Sequence, residues 1–217
     1  MSVYTIKKEF AWAGPVSERV VMLCRMFGVT LERLVDKGPV HQCALQIEPG
    51  DIVCITGPSG SGKSVLLREL ERSIPAGDRI NLDEIPLPDD QTVIDCFDSD
   101  LVASLQMLTA AGLGSVFGLV NRPCLLSDGQ KYRFRLARAL AMSRPFVFAD
   151  EFCSALDRIT AATVACNTAR FIRRTRTTLI VATSHDDILM DLAPDAIVVK
   201  DFTSPARVIY KTGRRPE

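Results

Sequence analysis

The sequence predicts an α/β fold built on a mostly parallel central sheet. Short apolar runs alternate with segments whose apolar side chains recur at helical spacing, which is typical of parallel strands covered by helices on both faces. One apolar run, residues 52–55, leads into a glycine-rich octapeptide and then into a helical pattern. With 217 residues, of which 47% are hydrophobic, the chain is large enough for one globular domain with a substantial core.

The N-terminal half begins with two predicted strands. Residues 20–24 form one continuous apolar run, and residues 43–47 form another that a Pro-Gly turn closes. The strand at 52–55 follows, and a short strand is expected at 79–82. Residues 95–113 then carry apolar side chains at helical spacing, so this segment predicts a helix that glycines end.

The C-terminal half continues the alternation of helices and strands. Ser127 opens a predicted helix that runs to about residue 143 and carries one apolar stripe. An apolar strand at 145–149, a helix at 159–174 and a strand rich in β-branched residues at 177–183 come next. Two short strands are expected to complete the sheet, at 197–199 and 208–210.

The glycine-rich octapeptide fits the pattern G-x-x-x-x-G-K-[ST]. Glycines lack a Cβ, so successive backbone N–H groups can curl around a phosphate chain, while the lysine reaches the outer phosphates and the final hydroxyl ligates Mg²⁺. We therefore predict that the chain binds a nucleoside triphosphate. The predicted contacts are Gly57, Pro58, Ser59, Gly60, Ser61, Gly62, Lys63, Ser64 and Val65.

Two acidic residues end the apolar strand at 145–149. Asp150 lies at the carboxyl edge of that strand, where it can hold Mg²⁺ through water, and Glu151 can orient or deprotonate an attacking water. Two acids after a strand are often only a solvated strand end. Downstream of the glycine-rich loop they predict a Walker B motif, with Glu151 and Lys63 in catalysis and Asp150 and Ser64 at the metal.

Charge and cysteine usage narrow the class of protein. Acidic and basic residues number 26 each, so no overall field directs the chain toward nucleic acid or anionic lipid. The seven cysteines form no C-x-x-C pair, which indicates reduced core residues and a cytoplasmic protein. The sequence shows no signal-peptide pattern and no apolar run of about 20 residues, the length that spans a bilayer.

Further motifs surround the Walker B segment. Residues 126–130 read L-S-D-G-Q and continue into a helix that contains the stretch L-A-R-A-L. This segment resembles the LSGGQ signature of the ATP-binding cassette (ABC) ATPases. Residues 154–157, S-A-L-D, resemble the D-loop of that family, and His185, which follows an apolar strand, resembles its switch histidine. The motifs occur in the family's order.

The resemblance implies a P-loop NTPase of the ABC type, with a small antiparallel β part beside the parallel sheet. In this family two chains hold two Mg-ATP head to tail, and the signature helix of one chain closes on the γ-phosphate held by the other. It therefore implies that Ser127, Gly129 and Gln130 contact ATP across a dimer interface, with Asp157 nearby, and that His185 touches the γ-phosphate. A serine-led helix N-terminus with free N–H groups is chemically an anion site.

The chain departs from the family pattern in two places. Asp128 replaces the first signature glycine, which places like charge beside an incoming phosphate and predicts slower dimer closure unless the side chain points away. The interval from Lys63 to Ser127 is shorter than in transporter cassettes, which predicts a shortened helical subdomain. Both features resemble soluble ABC ATPases related to the activator of methyl-coenzyme M reductase.

Two of the family's contacts are hard to place in the sequence. Gln91 is the candidate for the glutamine that contacts Mg²⁺ or water, with a solvated loop residue as the alternative. Phe27 is the candidate for stacking on adenine, with a core role as the alternative and His41 as a less favoured choice.

We divide the chain into an N-terminal extension at 1–17, an ABC-type ATPase domain at 18–202, and a C-terminal strand with a basic tail at 203–217. We predict an ATP hydrolase that uses Mg²⁺, forms an ATP-dependent homodimer and acts on an unidentified protein partner. One alternative is the ATP-binding subunit of a transporter, which reaches a membrane only through a separate subunit. Another is a nucleic-acid-associated ATPase, which a local excess of basic side chains suggests. These side chains are Arg170, Arg173, Arg174, Arg176, Lys211, Arg214 and Arg215.

Overall fold

The computed structural model describes residues 2–9, 14–36, 40–202 and 205–211. The strands in these residues are β1 (Ser2–Glu9), β2 (Val40–Ile47), β3 (Ile52–Thr56), β4 (Arg79–Asn81), β5 (Phe146–Ala149), β6 (Thr178–Thr183), β7 (Ala196–Val199) and β8 (Arg207–Tyr210). The α-helices are α1 (Glu18–Met26), α2 (Leu31–Asp36), α3 (Lys63–Arg72), α4 (Leu101–Ala110), α5 (Val116–Leu119), α6 (Asp128–Ala141), α7 (Arg158–Thr175) and α8 (Leu189–Leu192).

The central sheet has six strands in the order β4-β5-β6-β3-β7-β8. All neighbouring pairs are parallel except β7 with β8, which confirms the predicted mostly parallel sheet. Strand β3 lies between β6 and β7, and β5 lies beside β6. The carboxyl ends of β3, β5 and β6 therefore meet at one edge, where open α/β sheets bind their ligands.

Helices bury the central sheet on both of its faces. Ile52 and Cys54 of β3 belong to one cluster of buried apolar side chains, to which α4, α6 and α7 contribute. Val53 and Ile55 belong to a second cluster on the opposite face, which contains buried residues of α3 and β2. The α-helices between β4 and α6 are the ten-residue α4 and the four-residue α5. That this subdomain is shorter than in transporter cassettes stays a prediction.

A second, two-stranded antiparallel sheet covers α3. Strands β1 and β2 pair along their whole length, from Ser2 opposite Ile47 to Glu9 opposite Val40. The buried side chains of β2 alternate along the strand, and Cys43, Leu45 and Ile47 join the cluster that contains α3. Within the predicted N-terminal extension, residues 2–9 thus form part of the small antiparallel sheet.

The strand predicted at residues 20–24 is wrong, because this segment lies in α1. Ser17 caps the helix by accepting a hydrogen bond from the Val20 N–H at 3.3 Å. Gly28, with φ of +64°, follows the helix end, and the Val29 N–H donates to the Cys24 carbonyl at 2.9 Å. A five-residue apolar run fits either a strand or a helix, and here the cap and the left-handed glycine mark a helix.

The helix predicted over residues 95–113 is shorter in the structure. Asp100 caps α4 by accepting a hydrogen bond from the Ala103 N–H at 2.9 Å, so the regular helix begins at Leu101. Residues 94–96 form a separate 3-10 turn. In the parts of the chain that the structure describes, every helix is too short or too polar to cross the apolar interior of a bilayer.

Candidate active site

The glycine-rich loop connects the end of β3 to the start of α3, and two of its glycines are sterically obligatory. A Cβ at Gly57, where φ is +144°, would lie 1.8 Å from the Lys200 carbonyl oxygen. A Cβ at Gly62, where φ is +99°, would lie 2.1 Å from Cε1 of His41. The loop is therefore held against two neighbouring segments, the end of β7 and the start of β2.

The N-terminus of α3 presents positive charge and free donors. Lys63 is only 9% exposed, and its Nζ donates to the carbonyls of Gly57 at 2.8 Å and Pro58 at 3.0 Å. The Leu66 N–H donates to the Gly62 carbonyl at 3.1 Å. The first N–H groups of a helix have no partner inside it, and here they belong to residues 63–65. This helix end is suited to bind an anion.

A cavity of about 270 Å³ joins this loop to the ends of two other strands. Residues on the loop and α3 form one wall, Asp150 and Glu151 form a second, and the end of β6 forms a third. Its lining residues are Ser59, Gly60, Gly62, Lys63, Ser64, Val65, Asp150, Glu151, Ala182, Thr183 and Ser184. The structure thus brings the predicted Walker A and Walker B residues together.

The donor set of the cavity fits a nucleoside triphosphate with Mg²⁺. Helix N–H groups and an ammonium match phosphate oxygens, while the Ser64 hydroxyl and the Asp150 carboxylate match a hard cation. Across the described ranges no group of three or more His, Cys, Asp or Glu side chains is placed to hold a metal ion. Mg²⁺ commonly binds through one or two carboxylates together with substrate phosphates, so such a group is not required.

The turn that carries Glu151 has an unusual backbone. Glu151 and Cys153 have φ of +47° and +62°, although neither is glycine. The Ser154 N–H donates to the Glu151 carbonyl at 2.9 Å, and the Phe152 N–H donates to the Ala182 carbonyl of β6 at 2.8 Å. The Ser154 hydroxyl lies 3.5 Å from Oε2 of Glu151. The carboxylate is exposed at the cavity, where it can reach water.

The signature residues lie at the N-terminus of α6 and do not line this cavity. Ser127 and Gln130 form a reciprocal capping box, in which the Ser127 N–H donates to Gln130 Oε1 at 3.0 Å and the Gln130 N–H donates to Ser127 Oγ at 3.4 Å. A Cβ at Gly129 would lie 3.3 Å from the Ala155 carbonyl oxygen, so this glycine allows α6 to approach the D-loop. The Asp128 side chain is 97% exposed and lies 3.9 Å from Lys131 Nζ.

Asp157, the last residue of the predicted D-loop, is the N-cap of α7. Its carboxylate accepts hydrogen bonds from the N–H groups of Thr160 at 3.0 Å and Ile159 at 3.1 Å. Hydrogen bonding from Thr160 is the main reason that the pKa of Asp157 lies below its ordinary value. The residue thus has a local role in capping, in addition to its predicted role at the nucleotide.

Besides the residues of the signature and the D-loop, six predicted site residues lie outside the cavity lining. Three of them belong to the glycine-rich loop itself, Gly57, Pro58 and Ser61. The other three are Phe27, Gln91 and His185. Phe27 follows the last residue of α1 and is 74% exposed. Gln91 is exposed in the segment between β4 and α4. His185 is exposed one residue beyond Ser184, and its N–H donates to the Thr183 hydroxyl at 3.0 Å. The functional roles of these three residues remain predictions.

Sequence reasoning missed several residues at the site. Thr183 and Ser184 line the cavity because β6 is the direct neighbour of β3 in the sheet. The Thr56 hydroxyl at the end of β3 donates to the Asp186 carboxylate just after β6, which ties these two strand ends together. His41 lies against Gly62, and its less favoured role at adenine stays a prediction. Burial, with Lys200 nearby, lowers the pKa of His41. The convergence of parallel strand ends was the available signal for the first two.

Comparison with known proteins identifies the family. The sequence profile of the ABC transporter family matches residues 40–100. The aliphatic sulfonates import ATP-binding protein SsuB 1 of Paracoccus denitrificans is 31% identical, with 89% of this chain and 84% of that protein covered. This chain belongs to the ABC ATPase family. The SsuB protein of Delftia acidovorans is 33% identical, and the match covers 76% of this chain and 75% of that protein.

Solved structures share the fold of this ABC ATPase. The dimeric structure of MJ0796, a bacterial ABC transporter cassette, superposes with a TM-score of 0.64 over 82% of this chain and 91% of that one, at 22% identity. A post-hydrolysis state of the same cassette with ADP and phosphate gives the same TM-score at 21% identity. The predicted family, its fold and its ATP hydrolase class are confirmed. The looser resemblance to ATPases related to the activator of methyl-coenzyme M reductase remains a prediction.

Proposed function

We propose that this ABC ATPase hydrolyses Mg-ATP as a head-to-tail homodimer, in which each P-loop faces the signature helix of the other copy. The observation that carries this proposal is the position of the N-terminus of α6. A helix end of this kind, which Ser127 caps, is suited to bind an anion, yet Ser127, Gly129 and Gln130 do not line the cavity of their own chain. A second copy is the straightforward source of a phosphate for this helix end.

The residues of the cavity have distinct roles in this proposal. Lys63 and the N-terminus of α3 bind the phosphates, and Ser64 and Asp150 would hold the metal. Mg²⁺, when bound, neutralises charge that develops on the phosphate oxygens. Glu151 orients the attacking water and accepts its proton, and His185, beside the cavity residue Ser184, assists at the γ-phosphate. Gln91 and Phe27 are retained as candidate contacts to the metal and to adenine.

Glu151→Gln tests the central role of the carboxylate. The amide keeps the size of the side chain but cannot accept the proton, so we expect normal ATP binding, loss of turnover and accumulation of an ATP-bound dimer. Turnover is measured by phosphate release and the dimer by light scattering. Glu84→Gln, an exposed glutamate outside the cavity, is the matched control and should turn over normally. Normal turnover by Glu151→Gln would exclude the proposed role.

Lys63→Ala tests the role of the glycine-rich loop in ATP binding. The substitution removes the ammonium from the loop, so we expect ATP binding to be lost together with the ATP-dependent dimer. Isothermal titration with ATP measures this directly. If Lys63→Ala binds ATP as tightly as the wild type, the P-loop assignment is wrong.

The partner of the dimer has two candidates. Our first choice is a protein partner of a cytoplasmic ATPase, because all seven cysteines are free thiols and the helical subdomain is short. The second is the membrane subunit of a transporter, which the import ATP-binding proteins among the relatives favour. Pull-down with the ATP-locked Glu151→Gln dimer distinguishes the two, since co-purification with a permease would establish the second.

Binding to nucleic acid is the weaker alternative. Arg173 is already engaged, because its guanidinium contacts the Asp195 carboxylate at 2.5 Å and the Ala193 carbonyl at 2.9 Å. Arg170 and Arg174 are exposed and have no carboxylate within 4.0 Å among the described residues. Arg214 and Arg215 lie outside those residues. ATPase stimulation by DNA or RNA that weakens steeply with salt would support this alternative.

A further inference from the structure

Tyr132, on the second turn of α6, contacts the turn that carries Glu151. Its hydroxyl accepts a hydrogen bond from the Cys153 N–H at 3.0 Å and lies 3.9 Å from Cys153 Sγ. Its ring packs edge-on against Phe152, with the centroids 6.3 Å apart at an angle of 70°. Burial raises the pKa of Tyr132 well above its ordinary value, so the hydroxyl stays protonated and uncharged.

The turn after β5 needs such support. Glu151 and Cys153 both adopt left-handed backbone conformations, which non-glycine residues adopt only where their surroundings impose them. From the side of β6, the turn is held by the Phe152 N–H, which donates to the Ala182 carbonyl, and by the Thr183 hydroxyl, which lies 3.4 Å from the Phe152 carbonyl. From the side of α6, the Tyr132 hydroxyl holds the Cys153 N–H.

The same helix carries the signature at its N-terminus. Ser127 caps α6, and Gly129 lies against the Ala155 carbonyl of the D-loop. A helix transmits a displacement along its axis because its backbone is rigid over a few turns. Tyr132 lies less than two turns from Ser127, so a shift of the Ser127 end would reach the Glu151 turn through Tyr132.

We propose that Tyr132 is a positioning residue that couples the signature end of α6 to the carboxylate of Glu151. The proposal rests on the head-to-tail dimer described above. In that dimer Glu151 serves the ATP of its own chain, whereas Ser127 serves the ATP of the partner copy. The hydrogen bond between Tyr132 and Cys153 therefore connects the two nucleotide sites, and the Glu151 carboxylate is set in place when the signature helix engages phosphate.

Tyr132→Phe tests the coupling with the smallest possible change. The substitution removes the hydroxyl that accepts the Cys153 N–H and keeps the ring against Phe152. Since a misplaced catalytic group slows chemistry more than binding, we expect kcat to fall about tenfold while the KM for ATP changes less than about twofold. We expect the ATP-dependent dimer to persist by light scattering.

Tyr210→Phe is the matched control. The Tyr210 hydroxyl also accepts a backbone N–H, that of Gln46, at 2.8 Å, but Tyr210 is on β8 and does not line the cavity. Both variants lose one tyrosine hydroxyl and one hydrogen bond to the backbone, so their melting temperatures should fall by similar amounts. Only Tyr132→Phe should lower kcat.

The outcomes separate this inference from the proposed function. If Tyr132→Phe keeps kcat within about twofold of the wild type, or if Tyr210→Phe loses the same activity, the coupling is overturned. If Glu151→Gln is inactive while Tyr132→Phe is normal, the catalytic role of Glu151 stands and only the coupling fails. If Glu151→Gln turns over normally, the proposed function and the coupling both fail.

Discussion

The structure allows the loss of stability and ATP binding caused by Gly62→Ala to be estimated. Gly62 has φ of +99°, and a Cβ there would lie 2.1 Å from Cε1 and 2.3 Å from Nδ1 of His41. Since His41 is only 7% exposed, its ring has little room to withdraw. A left-handed conformation costs a non-glycine residue about 1 kcal/mol, and forcing a buried side chain aside costs about 1–3 kcal/mol. We therefore expect a combined loss of about 2–4 kcal/mol from stability and ATP binding.

The loss divides between two measurable quantities. If the glycine-rich loop keeps its conformation, the strain lowers the free energy of unfolding, which urea unfolding measures. If the loop changes its conformation to relieve the clash, ATP binds more weakly, which titration with ATP measures. Gly28→Ala is the matched control, because φ is +64°, no atom lies within 4 Å of the added Cβ, and the residue does not line the cavity. This control should lose only about 1 kcal/mol in total, from the backbone conformation alone.

A double-mutant cycle isolates the steric part. His41→Ala removes the ring atoms that the new Cβ meets, so in this background Gly62→Ala should cost no more than Gly28→Ala. Equal total losses for the two glycine variants in the wild-type background would refute the reasoning. An undiminished loss in the His41→Ala background would refute it as well.

Two further predictions concern charge and thiol chemistry. Asp128→Gly removes an exposed carboxylate from the first turn of α6. We expect light scattering to show a larger fraction of ATP-dependent dimer, because a like charge beside the incoming phosphate is removed. The melting temperature should fall slightly, because the helix loses an acidic residue at its N-terminus. An unchanged dimer fraction would show that Asp128 does not slow closure. Burial raises the pKa of three thiols, so at pH 8 they hold little thiolate and iodoacetamide should label them last, as mass spectrometry can measure. The three pKa values are about 11 for Cys43 and about 12 for Cys54 and Cys153. Labelling of these three before the partly exposed Cys124 and Cys166 would contradict their burial.

Local sequence signals predicted most of the fold, and one local ambiguity explains the main error. The loop between β3 and α3, the cap of α6 and the acids after β5 are each specified by residues a few positions apart. The same is true of α1, where Ser17 and Gly28 mark the helix ends. The apolar run at residues 20–24 nonetheless also fits a strand, because a run that short satisfies both periodicities.

The sequence alone predicts which chemical groups this ABC ATPase carries and on which kind of element each one lies. It predicts the phosphate loop, the acidic strand end and the serine-led helix, because these motifs are local. The packed fold is needed to see that His41 lies against Gly62 and that Tyr132 holds the Cys153 N–H. Each of these contacts joins residues about 20 or more positions apart, and their geometry follows from how the whole sheet and its helices pack, which no local pattern records.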